Sequence, residues 1–187
     1  VPMLRRRSFL GGLSAAALAA PVLGSAVAAP ARARPRVRRP NVPLPLTFVN
    51  NTGNFDNSSI SLYIVGVNGS GEQCRVTPEG ELVPVSMSDN GEDGFADYSI
   101  PLNNNGDTKI DLPAMSGRIY FALDGKLKFK VVESDNGPSL QHPAGWVPGE
   151  PGNDVLHDTF EFTLKDDGMY CNTTMVDMFS VPSSINL

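Results

Sequence analysis

From Leu46 onward the apolar residues recur with period two, and helical periodicity is scarce. In "SISLYIVGV" (59–67), Ile60, Leu62 and Ile64 fall on one face. In "KLKFKVV" (126–132), Leu127, Phe129 and Val131 point one way and Lys126, Lys128 and Lys130 the other. In "DTFEFTL" (158–164), Phe160, Phe162 and Leu164 share a face, opposite Thr159, Glu161 and Thr163. Five more strand-like runs are "LTFVN" (46–50), "ELVPVSM" (81–87), "ADYSIPL" (96–102), "TKIDLP" (108–113) and "GRIYFAL" (117–123). Clusters of Gly, Asn, Asp and Pro separate them, as expected at strand ends. Asp124-Gly125 predicts a hairpin joining 117–123 to 126–132. Short strands at this spacing, with no internal repeat, predict a mainly β fold built as an antiparallel sandwich or barrel.

Charge divides the chain. Residues 1–40 hold eight arginines and no acid, which leaves seven basic and 20 acidic residues in 41–187, a net −13. Nucleic-acid binding needs a basic face, so the acidic body excludes it; a neutral ligand or a cation suits it better. The start, "RRRSFLGGLSAAALAAPVLGSAVAAPA", has a basic head, an apolar stretch and small residues at its end. Arg6-Arg7-Ser8-Phe9-Leu10 has the twin-arginine pattern, and Ala26-Val27-Ala28 fits a cleavage site. Residues 1–28 are therefore expected to be a bacterial export signal. Gly11, Gly12, Pro21 and Gly24 argue against a membrane anchor, and no membrane association is expected once the signal is removed. The Arg/Pro-rich stretch 29–43 cannot form a core and reads as a linker before one domain at 44–187. Export to an oxidising compartment leaves two readings of Cys74 and Cys171 open. One is a single bridge closing a loop of about 97 residues, worth roughly 4 kcal/mol; the other is two free buried thiols.

Two carboxylates stand in apolar surroundings. Glu161 lies between two phenylalanines in the strand-like run 158–164, and Val176, Met178 and Phe179 flank Asp177. On alternation alone, Glu161 is also compatible with a solvated sheet face, and Asp177 with a turn or cap. A pair of carboxylates is what glycoside hydrolysis asks for: one protonates the leaving oxygen while the other activates water or attacks the sugar. Partial burial would help keep the acid protonated. Asp167-Gly168 offers a turn between the two runs. A three-residue loop at 167–169 would set Glu161 opposite Met175 and make Asp177 its diagonal neighbour, at about 7–8 Å. A two-residue loop at 167–168 would send Asp177 to the other face.

Other constellations are weaker. "DNGEDG" (89–94) resembles a calcium loop, but Ile100 stands where an EF-hand needs glutamate, leaving only a loose cation site open. His142 and His157 come with no G-x-S-x-G elbow, which argues against a serine hydrolase. Trp146 and Tyr170 could stack on sugar rings or sit in the core. No spacing suggests zinc, and no cofactor is expected.

The segments "SGRIYFALDGKLKF", "HDTFEFT" and "NTTMVDMFSVP" resemble glycoside hydrolase family 64, over about Leu46 to Pro182. These are secreted bacterial β-1,3-glucanases of thaumatin-like fold, including the laminaripentaose-producing type. The resemblance implies Glu161 as general acid and Asp177 as general base of an inverting, endo-acting enzyme. It also implies glucan contacts at Thr163, Tyr170 and Thr174, β-1,3-glucan as partner, no metal, a monomer, and a further mixed α/β portion beyond Leu187. The alternative from another class is a non-catalytic domain that binds β-1,3-glucan, or a thaumatin-like interaction domain.

Overall fold

A computed structural model describes residues 42–173 and 180–186 of the chain. Eleven strands are seen among these: β1 (Leu44–Phe48), β2 (Ile60–Val67), β3 (Gln73–Val76), β4 (Leu82–Pro84), β5 (Ile100–Pro101), β6 (Thr108–Leu112), β7 (Met115–Leu123), β8 (Lys130–Val132), β9 (Ser139–Gln141), β10 (Leu156–Lys165) and β11 (Gly168–Asn172). The central sheet runs in the order β11-β10-β7-β2-β3-β4, with β5 alongside β2. Two strand pairs, β1–β6 and β8–β9, stand apart from it, and the pairing is antiparallel throughout. The mainly β, antiparallel class follows the period-two pattern.

Alternation gives the central sheet two different faces. On one, Ile60, Leu62 and Ile64 of β2, Ile119 and Leu123 of β7, and Phe162 and Leu164 of β10 pack with Ile110 and Leu112 of β6. On the other, Tyr63 and Val65 of β2 and Tyr120 and Ala122 of β7 pack beneath Leu127, Phe129, Val131 and Leu140. Fully burying one such side chain contributes about 1.5–3 kcal/mol, so each layer is worth covering. The second cover is only partial. Ala122, Tyr120 and His157 lie under it, whereas Arg118, Ser116, Glu161 and Thr163 further along the same strands do not. That uncovered half carries the site.

The elements differ from the sequence pattern at several places. Asp124 adopts a left-handed turn conformation (φ 54°), as expected beside Gly125, but no hairpin follows. Leu123 at the end of β7 already pairs with Ile60 on one side and Leu156 on the other. A strand has two edges, so 126–132 must pair elsewhere, and its last three residues form β8 with β9. The run 96–102 forms a strand only at Ile100–Pro101, with isolated bridges from Ala96 to Asn90 and Phe129, while the strand expected at 46–50 begins two residues earlier, at Leu44. β3 and β9 were not legible: "QCRV" and "SLQ" are too short and polar to show a period, and their partners hold them in place. At the centre, Gly66 and Gly117 face each other across β2 and β7. A methyl group on either would run into the neighbouring backbone, at Ser116 or Val65, so this close approach requires glycine.

Candidate functional site

Glu161 sits where alternation places it, on the face of β10 opposite the core residues Phe160, Phe162 and Leu164. Thr163 is its neighbour on that face, and its hydroxyl accepts a hydrogen bond from Ser116 of β7 at 3.0 Å. The turn into β11 is Asp166-Asp167, with Lys165 opposite Gly168. Neither loop expected from sequence occurs, because Gly168 is taken into the strand and does not form the turn. Glu161 consequently faces Asn172 rather than Met175, and Tyr170 faces Thr163. Tyr170 thus shares the face of Glu161, and the residue is 62% exposed. A three-residue loop would have turned it away. A concavity of about 530 Å³ spreads over this face, lined among others by Ser116, Arg118, Glu161, Thr163, Tyr170 and His142.

Partial burial does not describe Glu161. Its side chain is about half exposed, and Arg118 of β7, directly opposite in register, holds it at 2.7 Å. Arg118 was not singled out from sequence, although it is one of two arginines after residue 41. Its alternation in "GRIYFAL" puts Arg118 and Tyr120 on one face, but only the strand order shows which carboxylate they meet. Behind Arg118, the Tyr120 hydroxyl lies 2.9 Å from Nδ1 of His142. The Tyr120 hydroxyl, together with Glu161, holds the Arg118 guanidinium still more firmly charged than usual. Burial pushes the Tyr120 hydroxyl up.

His142 is pushed down to about 4, by packing of its ring and then by the charge on Arg118. One edge of the residue is open to solvent, but its ring stacks on Tyr120 and meets Phe129 edge-on. A histidine depressed in the folded state takes its proton first in the unfolded chain, whose ordinary value is about 6.5. Its contribution to stability is therefore present above about 6.5, is lost as pH falls toward 4, and changes no further below that. Thermal melts between pH 7 and 4 should fall more steeply for the wild type than for His142→Gln. Equal slopes would show that this ring does not titrate as described.

The same strand holds the chain that follows β11. Asp158 is buried at 3% exposure on the core face. Its Oδ2 accepts the backbone N–H of Ser180 (3.1 Å) and Val181 (3.2 Å), and Oδ1 accepts that of Thr159 (2.8 Å). The Ser180 hydroxyl donates to the carbonyl of His157, and Val181 enters the core. Thr174 and Asp177 lie outside the described residues. The chain leaves the sheet after Asn172, opposite Glu161, and is held again at Ser180, beside a residue three positions along β10 from Glu161.

The remaining candidates separate. Cys74 is buried and Cys171 exposed, both as free thiols, so the bridge is not formed and only one thiol is buried. Four strand spacings lie between β3 and β11, about 19 Å, and a bridge needs Cα atoms within about 7 Å. Among the described residues no three metal-ligating side chains converge. In the loop considered for calcium, Asp93 pairs with Lys128; just beyond it, Asp97 pairs with Lys126. His157 bonds the carbonyl of Val155. Trp146 is about half exposed, not core, and does not line the concavity.

Known proteins resemble this chain in sequence and fold. The sequence profile of the β-1,3-glucanases of glycoside hydrolase family 64 matches residues 42–187. A glucan endo-1,3-beta-glucosidase of Cellulosimicrobium cellulans is 33% identical over 78 residues, 42% of this chain and 14% of that protein. A laminaripentaose-producing β-1,3-glucanase solved with laminaritetraose superposes with a TM-score of 0.62 at 36% identity, over 74% of this chain and 37% of that one. The laminaripentaose-producing enzyme of Paenibacillus barengoltzii, at 24% identity and a TM-score of 0.61, shares the fold over 76% of this chain and 36% of its own. This chain thus spans well under half the length of each. The profile covers the whole described β structure, including the strand that carries Glu161, and the chain belongs to glycoside hydrolase family 64, the β-1,3-glucanases.

Proposed function

We propose that this chain forms the carboxylate-bearing wall of a secreted, thaumatin-like glycoside hydrolase that cuts β-1,3-glucan into oligosaccharides with inversion. The observation that carries this reading is Glu161 standing on the uncovered half of the central sheet, within the concavity, with Thr163 and Tyr170 on the same face. Glu161 gives its proton to the glycosidic oxygen as the bond to the anomeric carbon breaks. Asp177 takes a proton from water, whose oxygen attacks that carbon from the opposite side. Inversion needs room for that water, which sets the two carboxyl groups about 6.5–9.5 Å apart. Asp158, three positions before Glu161 on the same strand though on its core face, anchors Ser180, and this return of the chain to β10 supports a role for the intervening aspartate. Tyr170 offers an exposed ring for a sugar to stack on, and Thr163 a hydroxyl beside Glu161. The basic leader supports export by the twin-arginine route.

The test is to add the natural protein that carries this sequence to laminarin and follow the anomeric protons by NMR before mutarotation. The α-anomer is expected first. The β-anomer first would overturn inversion, and binding without new reducing ends would overturn hydrolysis in favour of a glucan-binding domain.

A further inference from the structure

Glu161 is gripped through one oxygen. Arg118 donates from Nε at 2.9 Å, its Nη2 lies 2.7 Å away as an ion pair, and both contacts end on Oε1. A fork-to-fork pair would occupy both carboxylate oxygens. Among the described residues no hydrogen bond or ion pair ends on Oε2. A surface ion pair by itself holds little, because two long side chains swing freely in water. Arg118 is not so free. Tyr120 is the next residue on the same face of β7, and its hydroxyl helps to keep the guanidinium charged. Tyr120 is buried, packed edge-on against Phe129 with ring centroids 5.4 Å apart. Its hydroxyl meets His142 Nδ1 at 2.9 Å, and the His142 ring stacks on it.

We propose that Arg118, braced by Tyr120 and His142, is the positioning residue of this site: it fixes Glu161 by Oε1 so that Oε2 is the oxygen presented to the scissile glycosidic bond. This rests on the reading of Glu161 as the general acid. Tyr120 holds its own place through His142, whose Nδ1 lies 2.9 Å from the hydroxyl. The Arg118–Glu161 and Tyr120–His142 contacts thus lie side by side on one sheet face, the second of them packed against Phe129. The gain for catalysis is geometric first. Proton transfer falls steeply when a donor oxygen wanders by an ångström. A second gain is electrostatic: once Oε2 has given up its proton, the charge left on the carboxylate meets a guanidinium already in place.

The test joins kinetics with a readout that does not depend on turnover. Arg118→Ala in the natural protein is expected to lose about 10–100-fold in kcat on laminarin, with KM within about twofold. Millimolar guanidinium, well below denaturing levels, should restore part of that loss in Arg118→Ala and nothing in the wild type. Arg118→Lys should not rescue, since a point charge cannot reach Glu161 and Tyr120 together. By NMR, the Arg118 Nε–H should exchange slowly with water, and Tyr120→Phe should speed that exchange. An Nε–H that exchanges like that of a free arginine in the wild type would overturn the brace whatever the kinetics. If Arg118→Ala turns over normally while Glu161→Gln does not, the positioning role fails and the hydrolase reading stands. If Glu161→Gln also turns over normally, the general-acid reading fails and the positioning role goes with it.

Discussion

Glu161→Gln is expected to lose about 10²–10⁴-fold in hydrolysis of β-1,3-glucan, the usual worth of a general acid. The two side chains are nearly the same size, and the glutamine oxygen can still accept from Arg118. The position is half exposed on an uncovered sheet face, where substitutions change stability by less than about 0.5 kcal/mol. Lost activity with an unchanged melting temperature therefore separates chemistry from folding. Asp177→Asn is expected to lose as much, because an amide cannot take the proton from the attacking water. Reducing-end release from laminarin, read beside a thermal melt, checks both. Near wild-type release by either variant would mean that the wrong carboxylate has been named.

Asp158→Ala is expected to be the most destabilising change near the site. It removes the acceptor of two backbone N–H groups that belong to a segment 22 residues away in sequence, along with that of Thr159. Leaving a buried donor without a partner costs about 1–3 kcal/mol each. Water can reach some of these groups once Ser180 swings out, so the net loss should be about 3–5 kcal/mol. For a domain of this size that is roughly 10 °C in Tm. Asp158→Asn keeps one acceptor oxygen and should lose about half as much. Activity should fall with the alanine variant even at temperatures where it remains folded, because the segment between Asn172 and Ser180 loses its far anchor. A Tm within about 2 °C of wild type would show that the core contacts of Val181 hold this segment without Asp158.

Much of the site's frame was legible in the chain itself, and the reason is local. Side chains of a strand alternate by covalent geometry, so "FEF" puts Glu161 away from the core whatever the strand pairs with. The same argument put Ile60, Leu62 and Ile64 on one face of their run and Leu127, Phe129 and Val131 on one face of theirs, while the fold sent the two sets to different cores. The partner of Glu161 was not legible. Arg118 lies 43 residues earlier, and the two meet only because β7 lies beside β10 in a register that the whole sheet sets.

The turn after β10 shows the limit most clearly. Asp167-Gly168 reads as a turn, yet the loop is Asp166-Asp167, one residue earlier, with Gly168 in β11. With a side-chain period of two, such a shift reverses which residues of the second strand join Glu161, and it brought Tyr170 to its face. The hairpin expected at Asp124-Gly125 failed for a related reason, since both edges of β7 were already taken. By itself, then, the sequence determined the β class, which residues of a run share a face, the position of Glu161 away from Phe160 and Phe162, and the basic leader on an acidic body. Strand order, register, the Arg118–Tyr120–His142 support and the anchoring of Ser180 on Asp158 were decided by the tertiary structure. Alternation is a property of each residue and its neighbours, whereas pairing is chosen among competing edges by the burial that the assembled sheet achieves.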